Sequence, residues 1–174
     1  LADSTINSIS IGKGANSVTN NTAFGLNALD ASVTGDENTA IGKGALTDLT
    51  TGSANTIVGA SCGDAITTGS DNTAMGVSAL GTNTTGANNT AIGRAALFAN
   101  NANNNTGVGY HALRLNTTGS SNTAVGSLAL DAITTGTDNT AVGHGALTAN
   151  TADANVAVGH RALEANTTGT QNTA

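Results

Sequence analysis

At 174 residues, with 2% aromatics and neither Trp nor Pro, the chain lacks the large side chains that supply most of a globular core, so its stability must have another source. Five Lys and Arg against eleven Asp and Glu give a formal net charge of -6, which argues against a phosphate-binding surface and against nucleic acid as a partner. The single cysteine, Cys62, excludes an internal disulfide framework, and no Cys/His cluster has zinc-ligand spacing.

The first residues, Leu1 to Ile11, lack the basic and apolar regions of a signal peptide. No apolar run approaches the roughly 20 residues of a membrane-spanning helix. The chain starts without Met and closes on Asn172-Thr173-Ala174, the opening of a further repeat. The expectation is an excerpt of a longer protein whose signal, anchor and partner domains, and any contact with a membrane, lie elsewhere.

From Asn21 onward one unit recurs, opened by Asn21, Asn38, Asn55, Asn72, Asn89, Asn105, Asn122, Asn139, Asn155 and Asn172, in steps of 17, 17, 17, 17, 16, 17, 17, 16 and 17. Residues 21–171 are thus nine coils, 172–174 begin another, and 1–174 is a single segment. The consensus N-T-A-V-G-x-x-A-L-x-x-N-T-T-G-x-x is nearly undiluted from Asn122 to Asp138. Helices fit poorly, because each unit carries Asn-Thr, an internal Gly and a T-T-G turn. The period predicts an all-β parallel β-solenoid of about ten coils, with two strands of about four or five residues per coil, stacked at about 4.8 Å into a rod of about 45 to 50 Å.

Within the unit, the Asn column is expected to form amide ladders along the axis. The fourth position is always apolar (Phe24, Ile41, Val58, Met75, Ile92, Val108, Val125, Val142, Val158), and the ninth is Leu except at Gly63; these two columns are the expected core. The fifth position is always Gly, which suggests positive φ or a close backbone approach. Both sixteen-residue units lose the turn glycine together with one residue, which places the deletion in a loop. Cys62, beside Gly63, reads as a small buried thiol filling a gap, and Phe98 as a partly covered surface ring.

Charge is not scattered evenly. Lys13, Lys43, Arg94, Tyr110, His111, His144, His160 and Arg161 all fall at the sixth or seventh position, whereas Asp30, Asp64, Asp131 and Glu164 fall at the tenth. Of these, Lys43, Arg94, Tyr110, His111, His144, His160 and Arg161 form a candidate ligand-binding ridge, suited to acidic or sulfated glycans or to a matrix or host protein. The plain alternative is a permissive corner, holding any soluble residue or making exposed ion pairs that contribute little. His144 and His160 are one coil apart and should stack within about 5 Å, but two imidazoles without a third ligand make a poor metal site, and neither a metal nor a cofactor is called for. N-x-T triplets such as those at Asn83, Asn116 and Asn166 arise from the repeat itself. No nucleophile and base recur as a pair, and a convex rod offers no catalytic pocket, so the chain reads as a non-enzyme.

The run from Ser8 to Gly25, S-I-S-I-G-K-G-A-N-S-V-T-N-N-T-A-F-G, resembles the S-V-A-I-G repeats in the heads of YadA-type trimeric autotransporter adhesins, so that 1–20 would be a shorter YadA-like coil. The seventeen-residue form also resembles N-T-A-x-G-x-x-A-L arrays of bacterial and phage fibre proteins. The resemblance implies a left-handed β-roll, three chains intertwined or side by side, and adhesion at a cell surface or on a virion fibre. This chain departs from the YadA pattern in its longer period and in Thr at the second position. Little apolar area per coil independently favours association. The expected function is therefore a head or stalk segment of a homotrimeric surface adhesin, with a tail-fibre shaft, a pure spacer or an ice-binding solenoid as alternatives.

Overall fold

The computed structural model describes residues 4–6 and 9–174, and it is all-β. Residues 1–3, 7 and 8 of the expected first coil, including Ser8 of the S-I-S-I-G run, lie outside the described residues. Eleven strands form one sheet in sequence order: β1 Ser4–Ile6, β2 Ile9–Gly12, β3 Thr22–Gly25, β4 Thr39–Ile41, β5 Thr56–Val58, β6 Thr73–Met75, β7 Thr90–Ile92, β8 Thr106–Val108, β9 Thr123–Val125, β10 Thr140–Val142 and β11 Val156–Val158. Strands β1 and β2 pair antiparallel, and β2 lies antiparallel against β3, placing Ile11 opposite Phe24. From β3 to β11 every neighbour is parallel and in repeat register, so that Thr22 meets Thr39 and Val125 meets Val142. This is a β-solenoid in which one turn of the sequence repeat is one coil.

Each coil holds a single strand where the repeat suggested two. The remainder still stacks, as Leu80 N–H on Ala96 O (3.1 Å) and Thr67 N–H on Thr84 O (2.9 Å) show, but it does so through turns. In coil 122–138 the residues Leu128, Leu130 and Asp138 have φ of 61°, 51° and 59°, which breaks extended geometry while leaving the axial hydrogen bonds in place. Glycine is required at the fifth position: Gly93 has φ +130°, and a Cβ there would lie 2.5 Å from the Gly109 carbonyl oxygen in the next coil.

The core corrects one sequence expectation. The ninth-position Leu column is buried from Leu29 to Leu147, as expected, but the fourth-position column faces out: Phe24 is 47%, Met75 54% and Val158 62% exposed. The third position points inward instead, with Ala23, Ala40, Ile57, Ala74, Ala91, Ala124, Ala141 and Ala157 all buried. Strand side chains alternate, so the second and fourth positions share a face and the third takes the other. A coil this narrow has room beside its Leu for an alanine, not for a valine. Coil 55–71 makes the same point by exchange, since the one coil with Gly63 in place of Leu is also the one with Ile57 in place of the third-position small residue. Lumen volume, not hydrophobicity, decides which face turns in.

The Asn column runs the length of the rod as an interior ladder. Asn38 to Asn155 are all but inaccessible, and each Oδ1 accepts the backbone N–H of the next Asn, as in Asn55 N–H to Asn38 Oδ1 (3.1 Å) and Asn89 N–H to Asn72 Oδ1 (3.0 Å). The Nδ2 groups tie to the turn carbonyl, Gly86 O in a full coil (Asn72, 2.9 Å) and Ala102 O in a shortened one (Asn89, 2.9 Å), so the ladder passes through the deletion without a break. A second column at the twelfth position holds Leu49, Ile66 and Ile133 in some coils and buried Asn83, Asn100, Asn116 and Asn150 in others. Where Asn116 stacks on Asn100 its Nδ2 donates at 2.7 Å; its Oδ1, level with the apolar Ile133, has no partner. Asn83 and Asn116 are fully buried, so those N-x-T triplets are closed to modification in the folded rod.

Because stability in such a stack is a sum of coils and their interfaces, removing residues 72–88 whole should leave a cooperatively folded rod. Removing 72–79 alone should not, since every column above would then be out of register. Thermal unfolding followed by circular dichroism separates the two outcomes, and equal tolerance would contradict the register.

Candidate ligand-binding ridge

The turn that follows the fifth-position Gly projects its sixth-position side chain outward in every coil, beside the exposed fourth-position column. Lys43, Arg94, Tyr110, His144 and His160 are exposed or half-buried there; at the seventh position Arg161 is exposed and His111 half-buried. The seventh residue is in the left-handed region, with φ 57° at His111 and 56° at Arg161, and this swings it sideways towards the tenth position of its own and neighbouring coils.

The ridge divides into three places. Lys43 stands alone among polar groups, at the rim of an open apolar cleft of about 330 Å³ made by Phe24, Leu26 and Ile41. His144 and His160 stack with ring centroids 5.3 Å apart and planes 14° off parallel, while Arg161 sits 3.5 Å from Glu164 in a largely solvated pair. Among the described residues no three His, Cys, Asp or Glu side chains come together as metal ligands.

The third place is the most developed. Arg94, Tyr110 and His111 come together on adjacent coils, with Tyr110 and His111 stacked at 3.7 Å. Two tenth-position residues join them: Phe98, half-buried, and Arg114, held by a two-pronged ion pair with Asp131 (2.8 and 3.2 Å). With Val77, Ser78 and Ala95, the side chains of Arg94, Phe98, His111 and Arg114 line an open cleft of about 270 Å³. The cleft exists because Gly81 stands at the tenth position one coil away: a Cβ on Gly81 would lie 2.7 Å from the Phe98 ring, which occupies that space. Burial, with Arg114 and Arg94 close by, holds the His111 pKa below its ordinary value, so near neutral pH the ring is a neutral donor and acceptor. Hydrogen bonding to Asp131 keeps the Arg114 guanidinium protonated.

Sequence reasoning placed Phe98 correctly as a partly covered ring but missed its part in a cleft, and it left Arg114 out. A readable signal was present. Residues 72–130 contain none of the eleven Asp and Glu, and their only formal charges are Arg94 and Arg114.

Cys62 is fully buried and its thiol is pushed up to about 12, chiefly by burial, so it stays protonated and inert. It occupies the eighth position, where most coils have a buried Ala; the space left by the missing Leu is bordered by Ile66 and Ile57.

Comparison with protein-family models, with curated proteins and with solved structures finds no match for this chain.

Proposed function

We propose that this chain is a rigid, non-enzymatic β-solenoid segment of an extracellular adhesin, assembled side by side as a homotrimer and presenting its turn ridge to glycan or protein ligands. The observation that carries the reading is the fourth-position column. Phe24, Ile41, Met75, Ile92, Val125, Val142 and Val158 expose aliphatic or aromatic surface from one end of the repeat array to the other. Soluble monomers rarely leave such a continuous apolar strip open. A second copy of the same chain presents an identical column at the same axial spacing of about 4.8 Å, so every coil finds its counterpart at once. Cyclic symmetry closes such contacts without leaving a sticky edge, and the number three follows from the likeness to adhesin heads.

Light scattering should therefore give a mass near 3 × 16.8 = 50.4 kDa. Replacing Ile92 and Val125 by Asp should drop the mass to that of one chain while leaving the β-type circular dichroism spectrum unchanged, because neither side chain reaches the lumen. A wild-type mass of one chain at micromolar concentration would overturn the assembly. A trimer that binds no glycan or matrix protein would leave a spacer or a fibre shaft.

A second reading has its own support. The second-position threonines Thr22, Thr39, Thr56, Thr73, Thr90, Thr106, Thr123 and Thr140 share the outward strand face with the aliphatic column, giving two parallel ranks on a sheet surface. Such a face suits ordered water and hence ice. Thermal hysteresis in the wild type, abolished by Thr90→Lys, would favour this reading over the adhesin.

A further inference from the structure

The cleft between Arg94, Phe98, His111 and Arg114 has a more definite chemistry than the rest of the ridge, and we propose that it binds one sugar ring carrying a single carboxylate or sulfate. The inference names a ligand class within the adhesive reading above, but it is built from one chain and does not need the assembly.

Charge selects an anion and limits its number. In a chain of net charge -6, residues 72–130 are a band free of acid with two arginines. Arg114 is already neutralised by Asp131, at 2.8 Å, whereas the exposed Arg94 side chain makes no hydrogen bond or ion pair among the described residues. His111 adds a neutral ring nitrogen at the cleft wall. One free guanidinium beside one neutral donor matches one anionic group. It does not match a polyphosphate or a nucleic acid backbone, which the acidic coils on both sides would also repel.

Shape and polarity select a sugar. Phe98 rests one side of its ring on Gly81 and borders the cleft together with Val77, giving an apolar patch beside the polar groups. A pyranose has that division: an apolar C–H face that packs on an aromatic ring, and a rim of hydroxyls with the acid substituent at its edge. The cleft, about 270 Å³ and open, holds a single ring and leaves a chain free to continue along the rod. The two neighbouring ridge places lack this combination: Lys43 has apolar walls without a second polar group, and His144 and His160 have no aromatic wall or free arginine, Arg161 being paired with Glu164.

The test is titration calorimetry on the whole chain with three probes: a kappa-carrageenan tetrasaccharide, which carries sulfate and no carboxylate, a trigalacturonate and uncharged maltotriose. The first two distinguish sulfate from carboxylate, and either one binding more tightly than maltotriose by about tenfold or more is the expected result. Arg94→Gln should abolish that preference, and Phe98→Thr, the residue found in the same column at Thr47 and Thr148, should weaken binding of the preferred probe by about tenfold. Lys13→Gln, the same loss of charge at a residue outside the ridge, should change neither. Both Arg94 and Lys13 are exposed, so unchanged circular dichroism keeps the comparison clean. Equal affinity for maltotriose, an Arg94→Gln effect no larger than that of Lys13→Gln, or no binding of any probe would each overturn the proposal. Binding by a preparation with the mass of one chain would keep the cleft and discard the trimer, so the two readings fail separately.

Discussion

Gly63→Leu is expected to destabilise the rod, and Ile57→Ala is expected to destabilise it too, yet the two together should restore stability to within about 1–2 kcal/mol of wild type. Coil 55–71 is the one place where the consensus third-position Ala and ninth-position Leu are exchanged for Ile57 and Gly63. A Cβ on Gly63 would lie 2.9 Å from Ile66 Cδ1 and 3.5 Å from Ile57 Cγ2. Ile66 alone is not the obstacle, because coil 122–138 holds Ile133 and Leu130 together, both fully buried. The added Leu would have to share the lumen with Ile57, where coil 122–138 has Ala124, and overpacking of this kind costs about 1–3 kcal/mol. Ile57→Ala alone leaves a cavity where no Leu enters, at about 2–5 kcal/mol. The double variant rebuilds the packing of its neighbours. Its residual cost is the left-handed backbone, φ 53° at Gly63, which disfavours a side chain by about 1–2 kcal/mol. Denaturant titration of the four proteins gives the coupling energy, expected at about 3 kcal/mol or more in the compensating direction, because the overpacking and the cavity are both relieved in the double variant. Additive losses would mean that the third and ninth positions do not share one lumen.

The same exchange explains what could and could not be read from the sequence. The repeat, its register, the buried Leu column, the Asn ladder and the loop position of the deletions were all legible, because each is a matter of which residues recur at which interval. The side on which Val125 and its equivalents lie was not. Alternation puts the second and fourth positions on one face and the third on the other, and hydrophobicity alone assigns the valines to the inside. What overrides it is the size of a lumen that already contains Leu130, and the clue was the paired substitution at Ile57 and Gly63. The single strand per coil was hidden for a related reason. Leu at the ninth position adopts φ near 50° wherever it occurs, a conformation that disfavours it by about 1–2 kcal/mol, and full burial of its side chain, worth about 1.5–3 kcal/mol, offsets this. Sequence periodicity carries the burial and is silent on the strain.

The cleft was half legible. Arg94, Tyr110 and His111 stood out by position, whereas Phe98 and Arg114 belong to the tenth-position column, which elsewhere holds Asp30, Thr47, Asp64 and Thr148. That column comes near the seventh because the turn between them winds through left-handed residues, and no strand or helix periodicity predicts such an approach. The space that Gly81 leaves for Phe98 is a difference between coils. It becomes visible once the coils are laid on top of one another, and the consensus averages it away.

A buried ladder of this kind needs a side chain that donates and accepts at once, which Asn72→Asp tests with a pH-dependent outcome. Asn72 accepts from Asn89 N–H (3.0 Å) and Asn89 Nδ2 (3.2 Å) through Oδ1, and it donates from Nδ2 to Gly86 O (2.9 Å) and Asn55 Oδ1 (3.1 Å). Aspartate keeps the first pair and turns its second oxygen against two acceptors. Ionised, it is a buried charge facing other oxygens; protonated, its hydroxyl can donate to Gly86 O. The folded-state pKa of the introduced carboxyl would therefore lie above the unfolded value of about 3.9. For a group whose pKa rises on folding, stability is highest below the unfolded pKa and falls as pH climbs through the folded one. The loss relative to wild type should then be small at pH near 3.5 and grow to about 3–5 kcal/mol at pH 7, the cost typical of an unpaired buried charge. Wild-type Asn72 does not titrate, so subtracting the wild-type profile removes the contribution of the eleven native acids. Denaturant midpoints of the two proteins across that interval check the sign directly. A difference that stays flat, or that shrinks with rising pH, would mean that the amide column is spectator packing and that the rod is held by its Leu and Ala columns alone.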